Sequence, residues 1–182
     1  RRVVTGHDDA NVLMLLPLLP AGTAMTLHEG RREPFRGWIG NPDRDHTYLP
    51  APQLSLTADP MPEYAACLVT VLVPFRGREA PRVSAEAAAP ADASGQTLRP
   101  GRLEIAWGDG SRDAVWWTPA LEYALGEVDG LDTDGSLLHV RRDVGGRVIG
   151  GAAVDATYCK PFARGEAAGG CLTWSTAEGH DG

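Results

Sequence analysis

The sequence predicts an all-β protein, an antiparallel β-sandwich. Three observations carry this expectation. Short apolar or alternating runs recur between turn signals along most of the chain. Glycine and proline supply 22 and 14 of the 182 residues, a turn-rich composition that favours many short elements. Little of the chain repeats at the helical period, and strands at this spacing build sandwiches.

The elements follow in order. Residues 12–16 and 24–28 read as two strands around a Pro20-Ala21-Gly22 turn. Gly37-Trp38-Ile39 is a short extended piece, and residues 41–52 form a loop rich in Pro, Asp and His. Residues 53–57 alternate polar and apolar, the pattern of a half-buried strand. Residues 67–73 are continuously apolar and β-branched, which predicts a central strand covered on both faces. Residues 80–101 are mostly Ala, Pro, Ser and Gly and read as a long flexible loop with a short strand at 82–85.

Beyond that loop the signals sharpen. Residues 102–107 alternate so that Leu103, Ile105 and Trp107 face inward. Gly108-Asp109-Gly110 is a hairpin turn and residues 113–118 are the returning strand. Thr133-Asp134-Gly135 and Gly145-Gly146 punctuate two further strands, at 136–142 and 147–154. The expected organisation is one sandwich over residues 1–163, with its flexible loop near 80–101, and a polar, frayed tail over 164–182.

The start of the chain imitates a secretory signal: Arg1 and Arg2, an apolar run at 12–20, then Ala21-Gly22-Thr23-Ala24. Asp8 and Asp9 interrupt it, and Pro17 and Pro20 break the run, so a strand is the better reading. The run is too short to span a bilayer. A chain that begins without Met, already in strand-like sequence, reads as a piece of something longer.

Composition narrows the function classes. With 43% hydrophobic and 23% charged residues, wholesale disorder, collagen and a multi-span membrane protein are not expected. The net charge of −7 comes with no dense basic cluster, so neither a nucleic-acid nor a membrane partner is expected, although local Arg groups remain open. Cys67, Cys159 and Cys171 are odd in number, which excludes a fully paired framework; their spacing leaves a Cys159–Cys171 bridge open. No CxxC, HxH or HExxH occurs among the cysteines and His7, His28, His46, His139 and His180, so no metal site is expected, and no cofactor. Asp129, Asp132 and Asp134 before Gly135 resemble part of a calcium loop but lack the later Glu, which favours an ordinary turn. No nucleophile elbow, phosphate loop or assignable carboxylate pair appears.

The tryptophans Trp38, Trp107, Trp116, Trp117 and Trp174 are the remaining candidates. Aromatic faces stack on sugar rings, and they also fill cores. Trp116 and Trp117 are adjacent and must point to opposite faces of a strand.

A family resemblance then comes into view. Arg36-Gly37-Trp38-Ile39, a loop to Tyr48, then Pro50-Ala51-Pro52, resembles a pattern in heparinase II/III-like polysaccharide lyases. The run 69–74, the stretch 103–110, Thr133-Asp134-Gly135 and Val140-Arg141-Arg142 are similar to that family's later strands, and the resemblance covers roughly residues 10–155. Leu49 stands where the family often has Gly. The resemblance implies the C-terminal β-sandwich of a protein whose N-terminal part is an α/α toroid. It implies β-elimination on a uronic-acid-containing polysaccharide: the carboxylate is neutralised, a base takes the C5 proton, and an acid protonates the departing O4. Tyr and His groups do this work, mostly from the toroid. Gly6-His7-Asp8-Asp9 echoes the family's H-G-H-x-D-like segment but stands too close to Gly37-Trp38 to be it, so no catalytic residue is carried over. Trp38, His46, Tyr48 and Trp116 are the expected substrate-contacting residues. The expected partners are the polysaccharide and the toroid. A stand-alone carbohydrate-binding module, or a purely structural sandwich, is the alternative.

Overall fold

The computed structural model describes residues 1–5, 10–40, 47–59, 67–92, 98–118, 124–164 and 171–176. Among these, every regular element is a β-strand, and all the sheets are antiparallel. No helix among the described residues is long and apolar enough to cross a membrane. The chain divides into two compact units, residues 1–18 with 69–182, and residues 19–68.

The larger unit is organised on a six-stranded sheet. Its strands run, in spatial order, Val83–Ala88, Gly101–Trp107, Arg112–Trp117, Leu137–Arg142, Val148–Val154 and Cys171–Ser175. Tight turns join Gly101–Trp107 to Arg112–Trp117 and Leu137–Arg142 to Val148–Val154, whereas the chain between Trp117 and Leu137 supplies strands of another sheet before it returns. Asp109 accepts the Ser111 N–H at 2.9 Å in the first turn, and Asp143 accepts from the Gly145 and Arg147 amides in the last.

Two smaller sheets complete this unit. Arg2–Val4, Ala10–Leu18 and Val69–Arg76 form a three-stranded sheet whose Leu13, Leu15 and Val73 are buried with Val83, Ala85 and Trp107 of the large sheet. Gly126–Val128, Leu131–Thr133, Tyr158–Lys160 and Ala163–Arg164 form a four-stranded sheet. Its Leu131 and Cys159 share a second cluster with Trp116, Leu138, Val140 and Ala153. Strand alternation explains the division: Leu103, Ile105 and Trp107 lie on one face of the large sheet, Trp116 and Ala114 on the other. Each fully buried Leu or Val, such as Leu13, Leu138 and Val140, contributes roughly 1.5–3 kcal/mol. The buried Thr133 hydroxyl is satisfied, donating to the Tyr158 carbonyl at 2.8 Å and accepting the Gly135 N–H at 3.1 Å.

Four sequence expectations need correction. Within the segment 80–101 the expected short strand exists but is longer, Val83–Ala88, and it is paired with Gly101–Trp107, so this part is sheet and not a flexible loop. The tail contributes an edge strand: Cys171–Ser175 pairs with Val148–Val154, and Leu172 is buried. Val69–Arg76 is not central; among the described residues it pairs only with Ala10–Leu18, its burial alternates, and Leu72 is 59% exposed. The strands flanking Pro20-Ala21-Gly22 exist but do not pair with each other. Ala10–Leu18 joins Arg2–Val4 and Val69–Arg76, whereas Ala24–His28 pairs with Gln53–Thr57.

Among its described residues the smaller unit contains three two-stranded ladders. Ala24–His28 pairs with Gln53–Thr57, Arg31–Arg32 with Phe35–Arg36, and Trp38–Gly40 with Tyr48–Pro50.

Candidate functional site

The family-like segment in the smaller unit is assembled around one glycine. Gly37 has φ of 72°, a conformation that only glycine adopts freely. A Cβ there would meet the His28 carbonyl oxygen at 2.6 Å and the Glu29 Cα at 2.7 Å. Its N–H donates to Gln53 Oε1 at 3.0 Å, and its carbonyl accepts from Gly30 at 2.9 Å and Ala51 at 2.8 Å. Gly37 therefore ties together all three ladders of the unit. It also aligns the segments on either side of the loop, with Trp38 opposite Pro50, Ile39 opposite Leu49 and Gly40 opposite Tyr48.

This alignment builds a ledge of three rings. Trp38 is half-buried, and its indole N–H donates to the Arg31 carbonyl at 2.7 Å, which fixes the ring. Phe35 stacks on it with centroids 5.5 Å apart and planes 6° from parallel. Tyr48 meets Phe35 edge-on, 5.3 Å between centroids at 80°. Phe35 and Tyr48 are 58% and 57% exposed. Trp38 thus backs the ledge, and Phe35 and Tyr48 are its exposed rings. The other side of the same hairpin carries the exposed aliphatic pair Ile39 and Leu49.

Positive charge surrounds the ledge in sequence. Arg31 and Arg36 are directly opposed in their ladder, with Arg32 opposite Phe35, and none of the three arginines makes an ion pair among the described residues. Like charges directly opposed are unfavourable unless an anion stands between them. His28 lies below, 5% exposed, with Nδ1 3.3 Å from Arg31 Nη1. Arginine only donates, so Nδ1 accepts and the remaining proton sits on Nε2, which is buried without a partner among the described residues. Burial, then the Arg36 and Arg31 charges, push the His28 pKa down and keep the ring neutral. Aromatic faces beside guanidinium groups that have no carboxylate partner among the described residues suit a ring-shaped ligand that carries carboxylates.

The other expected contact residues stand differently. His46 lies outside the described residues, as do Gly6-His7-Asp8-Asp9. Trp116 is 5% exposed and belongs to the core of the larger unit, where Ala114, Leu138 and Val140 occupy its surroundings; its ring is not offered to a ligand. Phe35 was not among the candidates read from the sequence. Its only signal is the turn at Glu33-Pro34, which folds Phe35 back to within reach of Trp38.

A second polar arrangement, in the larger unit, also lacks a sequence motif. Asp113, buried, accepts from the Trp107 indole N–H and holds His139 Nε2 at 2.8 Å. Arg141 lies over the Trp107 ring, 5.8 Å from its centroid. Burial works to raise the Asp113 pKa, but the hydrogen bonds from His139 and Trp107 outweigh it and hold the carboxyl below the usual range. These four residues come from three neighbouring strands, a proximity visible only once the register is known.

The aspartates before Gly135 serve structure. Asp129 accepts from Arg142 at 2.7 Å, and Asp132 from Lys160 at 3.1 Å. Asp134 accepts from the Thr157 hydroxyl at 2.6 Å and from the Thr157 and Tyr158 amides. Among the described residues no group of three His, Cys, Asp or Glu is placed to hold a metal ion. Cys67, Cys159 and Cys171 are all free thiols.

Comparison with known proteins adds no family: no protein-family model, curated protein or solved structure matches this chain.

Proposed function

We propose that this chain is the C-terminal β-sandwich region of a polysaccharide lyase of the heparinase II/III-like kind. In this reading it contacts a uronic-acid-containing polysaccharide through the Phe35–Trp38–Tyr48 ledge, and the groups that carry out the β-elimination lie on an N-terminal toroid. The observation that supports it most is the ledge itself. The segments that resemble the family, Gly37-Trp38 and Tyr48 to Pro52, pair across a hairpin that exposes two rings beside arginines that have no carboxylate partner among the described residues. The rings stack on the apolar faces of sugars, and the guanidinium groups attract uronate carboxylates. The opposite face of that hairpin, Ile39 with Leu49, offers the toroid an apolar contact. The two packed sheets of the larger unit are the sandwich in this reading.

A stand-alone carbohydrate-binding module is the second reading, favoured by the exposure of Phe35 and Tyr48. One experiment tests both. Absorbance at the unsaturated-uronate band is followed on a panel of uronic-acid polysaccharides, with this chain and with the same chain extended upstream through its reading frame. Activity only in the extended protein supports the lyase reading. Activity in the short chain overturns the division of labour. Binding by the short chain with no turnover in either form favours the module.

A further inference from the structure

We propose that a groove on the large sheet is a binding site for a single carboxylated sugar unit. It is remote in sequence from the aromatic ledge and stands whether or not that ledge binds glycan. The groove has a volume of about 340 Å³, at the lower end of small-molecule sites. Its floor is made of the small side chains Ala106 and Ala114, with Ser84 at the margin. Charged residues stand at both ends.

The strand register makes those charges unusual. Arg112 is directly opposite Arg142, and Glu86 is directly opposite Glu104. Like charges in directly opposed positions destabilise a sheet, so both pairs are local costs in an otherwise consistent fold. Each pair is only half neutralised. Arg142 is held by Asp129 at 2.7 Å, and Glu104 by Arg102. Arg112 and Glu86 have no ion-pair or hydrogen-bond partner among the described residues. The groove therefore presents one uncommitted cation at one end and one uncommitted carboxylate at the other.

The separation selects the ligand. Glu86 and Arg112 lie two strands apart and two residues out of level, since Glu86 faces Glu104, Glu104 faces Ala114, and Arg112 precedes Ala114 by two. Strand spacing and rise place their Cα atoms roughly 12 Å apart. Extended Arg and Glu side chains close much of that span, leaving room for one ring. A carboxylate fits the Arg112 fork beside Arg142, and hydroxyl groups on the far side of the ring donate to Glu86. A simple anion satisfies only the first end, and a neutral sugar only the second.

The test is calorimetric titration of the whole chain with D-glucuronate, D-glucose and acetate. Glucuronate is expected to bind, with glucose and acetate each at least tenfold weaker. Arg112→Gln is expected to lower glucuronate affinity at least tenfold. Glu86→Gln is expected to weaken glucuronate but leave acetate unchanged. Val144→Ser, at an exposed residue that belongs to neither the groove nor the ledge, leaves glucuronate binding intact. Because Arg112 opposes Arg142, Arg112→Gln is expected to match or raise the Tm of the unliganded protein, so lost binding is not unfolding. Unchanged glucuronate affinity in Arg112→Gln overturns the proposal, as does acetate binding as tightly as glucuronate.

Discussion

The indole of Trp117 lies across Gly101, its directly opposed partner on the neighbouring strand, so closely that a Cβ on Gly101 would overlap the ring at Cε2 and Cζ2. On the other face of the sheet Trp174 covers Gly151, its own directly opposed partner, in the same way. Glycine weakens a strand, and a cross-strand aromatic restores the lost contact. Gly101→Ala is expected to destabilise the fold by about 1–3 kcal/mol through overpacking. In a double-mutant cycle with Trp117→Ala the two losses are expected not to add, with a coupling of about 0.5–3 kcal/mol. Denaturant unfolding of the four proteins checks this; additive losses would show that the pair does not interact.

Asp113 ties Trp107 to His139 and carries a depressed pKa. A carboxyl whose folded pKa is lowered stabilises the fold above its unfolded value, near 3.9, and loses that contribution as pH falls through the folded value. Asp113→Asn keeps a hydrogen-bond acceptor but removes this acid limb. Its stability is expected to fall less steeply than that of the wild type below about pH 4. Asp113→Ala leaves the Trp107 indole N–H without its partner and is expected to cost about 1–3 kcal/mol at neutral pH. Thermal unfolding between acid and neutral pH measures both.

His28 behaves in the opposite pH range. Its folded pKa is lowered by burial and by Arg36 and Arg31, so protonation opposes folding, and the loss begins as pH falls through the unfolded value near 6.5. The smaller unit is expected to loosen between neutral and mildly acid pH, and His28→Gln to flatten that response. Trp38 fluorescence in a protein whose other tryptophans are replaced by Phe reports this locally. An identical pH response in wild type and variant would contradict it.

The three thiols are expected to differ in reactivity. Cys159 is fully buried, and burial and then the Asp132 charge push its pKa up, so it reacts only on unfolding. Mass spectrometry after brief alkylation is expected to show Cys171 modified and Cys159 protected. Reductant is expected to leave the Tm unchanged, because all three cysteines are free.

Much of the sheet was legible because its period is plain. Leu103, Ile105 and Trp107 alternate before a Gly108-Asp109-Gly110 turn, and the structure pairs that run with Arg112–Trp117. The strand Val83–Ala88 was legible only in its first half, at 82–85, because Ala87 and Ala88 carry little strand preference; pairing with Gly101–Trp107 extends it beyond what local propensity shows. Val69–Arg76 was misread as central because Leu72 continues an apolar run, and only the sheet order shows that its side chain faces solvent. In the candidate site, Trp38 and Tyr48 were visible as a motif. Phe35 and the opposed arginines were not, since their meeting depends on the turn between Arg32 and Phe35.

The aromatic ledge is the surface proposed to meet the glycan. Its most direct test is the affinity of this chain for an oligouronate, compared among wild type, Phe35→Ala, Tyr48→Ala and Arg36→Gln, at low and moderate salt, with circular dichroism to verify the fold. Loss of stacking is expected to weaken binding about twofold to tenfold for either ring, from roughly 0.5–1.5 kcal/mol per aromatic contact. Arg36→Gln is expected to weaken binding mainly at low salt. Oligouronate binding that is unchanged in all three folded variants would contradict the account.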